Sequence, residues 1–234
     1  MVVSLAFQRP AAAAPLFDWD GDPTVTSVVD QTGEDLVYWP DGTAPNLETG
    51  QDITKIWWGK ANEGGTWYHY FRMDLNAAPS GDNRAGVYGI YLDFTSGGRD
   101  GMESSGDDLV PATLKGIDAF VQVERSSTQW HTVAYQEWNG SMWMGGVVTS
   151  FQATENGGKT LEWKIPESNI GGSPYITPYS IWGSTTDRGS EYATYDLTPG
   201  LTVNPEPGTT SLILLAVAAG GAVVRRKKGE QAKS

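Results

Sequence analysis

The chain has 234 residues, a formal net charge of −12 at pH 7 and no cysteine. The length suits one large domain with a real core. The charge sets the surface against nucleic acid and anionic membranes and towards divalent cations, and no disulfide can staple the fold.

In chain order, Met1 to Phe7 is apolar but lacks a preceding positive charge, and Arg9-Pro10 interrupts it before the small-residue run Ala11 to Ala14. This pattern fits the second half of a signal peptide spanning residues 1–14, with translation starting upstream and cleavage near Ala13 or Ala14. An ordinary N-terminus is the alternative. The next segment, DWDGD, sets Asp18, Asp20 and Asp22 at alternate positions around a glycine. Hard oxygen ligands at that spacing can wrap a calcium ion, and a solvated acidic turn is the competing reading. It is not an EF-hand, because Pro23 stands where that loop turns and Val29 stands where its bidentate glutamate belongs. Asp93, Asp100, Glu103, Asp107 and Asp108 form a second candidate of the same kind.

From residue 15 to 203 the chain reads as strands and turns. In WYHYFRMDL, Trp67, His69, Phe71, Met73 and Leu75 share one face, and Tyr68, Tyr70, Arg72 and Asp74 share the other. Period-two alternation of this kind predicts a half-buried strand. The same period predicts strands in VYGIYLDF, GIDAFVQVE and KTLEWKI, with Trp163 inside between Leu161 and Ile165. Asn139-Gly140 lies between HTVAYQEW and SMWMGGVV, a strong hairpin signal. Later strands are expected in TPYSIWGS and ATYDLTPGLTV. Many short strands without an intervening helical period argue for an all-β fold, an antiparallel β-sandwich.

The segments DWDGDP, DQTGED, QDITKIWWGK, WYHYFRMDL, YGIYLDF, GIDAFVQV and LEWKIPESNIG together are similar to sandwich domains of exported bacterial proteins related to family 9 carbohydrate-binding modules and DOMON domains. That resemblance implies a jelly-roll-like or immunoglobulin-like sandwich that binds sugars or other small ligands and often does no chemistry.

The residues themselves argue against an enzyme. A glycosidase needs two carboxylates across a cleft, and no acidic pair here stands in such a motif; Glu34-Asp35 and Asp107-Asp108 read as solvated loop charge. The only histidines are His69, on the apparent inner face of its strand, and His131. Two histidines and no thiol support neither a catalytic triad nor a zinc site. Ten tryptophans are a high count, and aromatic faces carry sugar rings. Trp57 and Trp58 point to opposite strand faces, Trp138 and Trp143 flank the Asn-Gly turn, and Tyr68, Tyr70 and Tyr91 lie on polar strand faces. Trp138, Trp143, Trp58 and Tyr91 are the candidate polysaccharide contacts; packing against a neighbouring loop or sheet is the alternative for each.

Residues 204–234 change character. Pro205, Glu206 and Pro207 precede an uncharged stretch, residues 209–224, followed at once by Arg225, Arg226, Lys227 and Lys228. A helix over that stretch is a short membrane span, about 24 Å at about 1.5 Å per residue, and the basic cluster favours the cytoplasmic side. The order of the three parts resembles the PEP-CTERM sorting signal of bacterial envelope proteins. The resemblance implies export, transient anchoring through one short C-terminal transmembrane helix, and processing near Pro-Glu-Pro by an exosortase-type membrane enzyme. The expectation is a non-catalytic exported surface or extracellular-matrix protein, or a carbohydrate-binding module supported by calcium.

Overall fold

A computed structural model describes residues 14–30, 50–79, 86–94, 117–126, 129–146, 148, 150–154, 158–170, 177–187 and 194–203. By internal packing the chain divides into Met1–Val203 and Asn204–Ser234. The sorting tail read from the sequence therefore lies outside the described residues. Among the described residues no helix is long and apolar enough to cross a membrane.

The described part of the first unit is almost all strand. In order the strands are β1 (Thr26–Val29), β2 (Ile53–Glu63), β3 (Thr66–Leu75), β4 (Gly86–Asp93), β5 (Ala119–Ser126) and β6 (Gln129–Trp138). They continue as β7 (Trp143–Gly146), β8 (Ser150–Thr154), β9 (Thr160–Pro166), β10 (Ser180–Asp187), β11 (Thr194–Leu197) and β12 (Leu201–Thr202). The first sheet runs β1-β2-β3-β9-β8; the second runs β11-β10-β4-β5-β6-β7, with β12 also on β10. Every pairing is antiparallel.

The main core lies between the inner faces of the two sheets. Ile56, Phe71 and Trp163 from the first sheet meet Ile90, Val121 and Ile181 from the second, all fully buried. This sandwich-like arrangement follows from the alternation: His69, Phe71, Met73 and Leu75 of β3 are all buried as the period requires, while Trp67, where the strand outruns the core, is 44% exposed.

Two outer faces depart from the expected polarity, because each carries its own apolar layer. Tyr70, on the supposedly polar face of β3, is completely buried. Residues 14–25 form a strap whose Phe17 ring stacks on Tyr70 with centroids 4.4 Å apart and whose Trp19 meets Phe17 edge-on. The strap fits closely because residue 59 of β2 is glycine: a Cβ there would lie 2.5 Å from the Phe17 ring. In the second sheet, β4 is buried along its whole length on both faces, and Tyr91 joins Phe120 and Ile117 in a separate cluster on the outer side.

Turn chemistry sets the registers. β2 and β3 are joined by Gly64 and Gly65, at φ of 59° and 93°, with Glu63 opposite Thr66. Two consecutive positive φ values match the strand twist and need glycine. At the predicted Asn139-Gly140 hairpin, Trp138 pairs with Trp143, and Asn139 Oδ1 accepts hydrogen bonds from the backbone N–H groups of Ser141 and Met142.

Candidate functional site

The outer face of the second sheet gathers three of the four aromatic residues singled out from the sequence. The cross-strand register places Tyr91 opposite Phe120, Phe120 opposite Gln136, and Trp138 opposite Trp143. Alternation then puts all five side chains on one side of the sheet. Their rings form a continuous row: Tyr91 to Phe120 at 5.9 Å, Phe120 to Trp143 at 4.9 Å, and Trp143 to Trp138 at 5.5 Å. Trp182, opposite Tyr91 on β10, packs against the inner end of the row. The row thus runs from the middle of the sheet to its β7 edge, where Met142 and Met144 are more than half exposed.

Polar groups accompany the rings. Gln122 stands beside Gly89 and Ala134, and Gln136 beside Phe120 and Gly145. The Oε1 atoms of Gln122 and Gln136 and the Nε1 of Trp143 are buried without a hydrogen-bond partner. Buried polar atoms are normally paired. Further along the same face His131 Nδ1 lies 3.5 Å from Glu124 Oε2. The rings meet tilted or edge-on, and only Trp138 and Trp143 are partly exposed; aromatic faces beside amide oxygens can receive the apolar face and the hydroxyls of a sugar ring.

Trp58 is not part of this face. It is 4% exposed, lies in the main core, and donates its Nε1–H to His69 Nδ1 at 3.2 Å. Its neighbour Trp57 takes the outward position, between the Lys55 ammonium at 3.4 Å and the Arg72 guanidinium at 5.2 Å. Tyr91 is likewise buried, at 1% exposure, so it supports the row from beneath.

His69 is a core residue. Burial, with a smaller push from Lys60, lowers it to about 3. The imidazole is therefore neutral at physiological pH, and its Nδ1, which accepts from Trp58, leaves the proton on Nε2.

Asp18, Asp20 and Asp22 do not converge. Asp18 Oδ1 accepts the Gly21 N–H at 3.1 Å, and Asp22 Oδ1 accepts both the backbone N–H and the hydroxyl of Thr24. These are turn caps. Among the described residues no group of three histidine, aspartate or glutamate side chains is placed to hold a metal ion. Of the second acidic candidate, Asp93 is described and 3% exposed; Asp100, Glu103, Asp107 and Asp108 lie outside the described residues, as do Pro205, Glu206, Pro207 and Arg225 to Lys228.

One charged cluster escaped the sequence reading. Asp30, Asp52 and Asp196 are each at most 5% exposed. Asp196 Oδ2 accepts the Ile53 N–H at 2.5 Å and Oδ1 accepts the Leu197 N–H at 2.8 Å, tying the second sheet to the start of β2. Burial, reinforced by the charges of Asp30 and Asp52 and opposed by these backbone hydrogen bonds, pushes the Asp196 carboxyl up to about 7. Each residue is a lone aspartate in its own stretch of chain, so nothing in the local sequence marks it.

No protein-family model matches the chain, and neither a curated protein nor a solved structure is found to resemble it.

Proposed function

We propose that this chain is a non-catalytic surface or extracellular-matrix protein, exported and sorted through its PEP-CTERM-like tail. The observation that carries this reading is the order of the tail: Pro205-Glu206-Pro207, the uncharged stretch 209–224, then Arg225, Arg226, Lys227 and Lys228. The partner it implies is an exosortase-type membrane enzyme, with residues 209–224 in the membrane until processing. Replacing Arg225, Arg226, Lys227 and Lys228 together by glutamine removes the charge that holds the C-terminus on the cytoplasmic side. In a producing bacterium the variant is expected to accumulate unprocessed in the cell, whereas the parent reaches the envelope in shortened form. Equal processing of both would refute the sorting role.

A second reading is a carbohydrate-binding module, favoured by the aromatic row with its unpartnered Gln122 and Gln136 oxygens. The finer fold suggested by the sequence, a jelly-roll-like winding, agrees with the way β3 and β9 neighbour each other in one sheet while β4 and β10, the strands that follow them, neighbour each other in the second. Trp138→Ala and Trp143→Ala are expected to weaken retention on an extracellular polysaccharide at least tenfold without releasing sugar. Unchanged retention in both variants would remove the row from any such role.

A further inference from the structure

We infer that hydrolysis of the Ala13–Ala14 peptide bond creates the counter-ion of Glu162, an α-ammonium at Ala14 that fixes the strap to the first sheet. The inference rests on the export reading for the cleavage; the docking of the ammonium rests on the hydrogen bonds that Glu162 and Gln152 make with the strap.

Glu162, on the outer face of β9, is 1% exposed. Its carboxylate accepts from the Leu16 backbone N–H at 3.0 Å, from Trp19 Nε1 and from Gln152 Nε2. All three donors are neutral. A buried carboxylate normally has a cation as well as hydrogen bonds.

The neighbouring cations face elsewhere. Arg72, directly opposite on β3, turns its Nε to Asp74 Oδ1 at 2.7 Å and lies over the Trp57 ring. Lys164, two residues along the same face, pairs with Glu63 and lies over Tyr68. Lys55 sits on Trp57. Among the described residues Glu162 thus has no cationic partner within ion-pair distance.

The start of the strap lies close by, since the Leu16 N–H two residues after Ala14 donates to the same carboxylate. The Gln152 amide that donates to Glu162 also donates to the Ala14 carbonyl at 3.1 Å, so one side chain touches both groups. Residues 11–13 and 12–14 both give the small-x-small pattern that an envelope leader peptidase requires; the first specifies the bond before Ala14, the cut that leaves the whole strap on the domain. Water adds across that bond: the leader leaves with a carboxylate on Ala13, and the Ala14 nitrogen takes a proton and becomes an ammonium. Before cleavage the same nitrogen is a neutral amide. Processing would then change the strap from a segment held by neutral hydrogen bonds to one held also by an ion pair between an ammonium on the exposed Ala14 and the buried Glu162 carboxylate.

The test compares chains that begin at Ala14 and keep the tail, with a free or an acetylated α-amino group, in parental and Glu162→Gln backgrounds. At pH 7 acetylation is expected to lower the melting temperature of the parent by about 3 °C or more and to leave that of Glu162→Gln unchanged. An ammonium stabilised by folding contributes below its unfolded pKa of about 8, and the contribution is lost as pH rises through the higher folded value. The gap should therefore close in alkali. No gap at pH 7, or an equal gap in both backgrounds, would overturn the docking. Sequencing of the exported protein separates the two layers: a first residue other than Ala14 overturns the cleavage site, and an intact leader on a retained chain overturns export.

Discussion

Asp196 shows how much one side chain can decide. Its carboxyl is raised to about 7 chiefly by burial, so between its ordinary range near 4 and that value the folded protein binds a proton that the unfolded chain releases. The sign follows: stability from this group is fully present in acid and falls as pH rises towards 7. Asp196→Asn cannot ionise, and it is expected to flatten the decline of melting temperature between pH 4 and pH 7; a decline as steep as the parent's would show that another group sets it. The sequence hides this residue because its environment comes from β2 and β1, far away along the chain. The same limit applies to the tryptophan pair. Alternation says that Trp57 and Trp58 face opposite ways, but not which faces the partner sheet, since each lies in a run apolar enough for either. Trp58 is the buried one, and its indole N–H goes to the Nδ1 of a neutral histidine instead of a ligand.

At the level of the element, the legible parts are those in which local pattern and tertiary role agree. The inner faces of β3 and β9 and the hairpin at Asn139-Gly140 could be read directly, because period-two alternation and a glycine at positive φ are local requirements. Gly64-Gly65 was equally readable, although it closes a two-residue turn and Asn139-Gly140 a four-residue one. The polar faces of β3 and β4 misled, because Tyr70 and Tyr91 are covered by elements whose approach no strand pattern encodes. Residues 14–25 illustrate the physics: an aromatic pair, a missing side chain at Gly59 and a buried acceptor at Glu162 together make the strap part of the domain. Gly59→Val is expected to push Phe17 off Tyr70 and cost about 1–3 kcal/mol, in the range of overpacking substitutions. Limited proteolysis should cut that variant within residues 14–25 before any other site; protection equal to the parent's would show that the ring can shift without detaching.

For the molecule as a whole, an acidic surface suggested calcium, yet Asp18 and Asp22 spend carboxylate oxygens on their own turn. Millimolar calcium, or a chelator in excess, is therefore expected to move the melting temperature by less than about 1 °C, a change too small for a site that clamps the fold; a rise of several degrees with calcium would restore a site outside the described residues. The strand order carries a different consequence. β3 pairs with β9, and β4 with β10, so the centre of each sheet is completed by strands that enter the chain some ninety residues later. A ribosome that has delivered everything up to β8 has made strands whose central edges still lack their partners. The sandwich cannot be completed before β9 and β10 have emerged, and until then the unpaired central edges are exposed to aggregation. Its architecture acts as a timer: closure of both sheets waits for the last quarter of the domain.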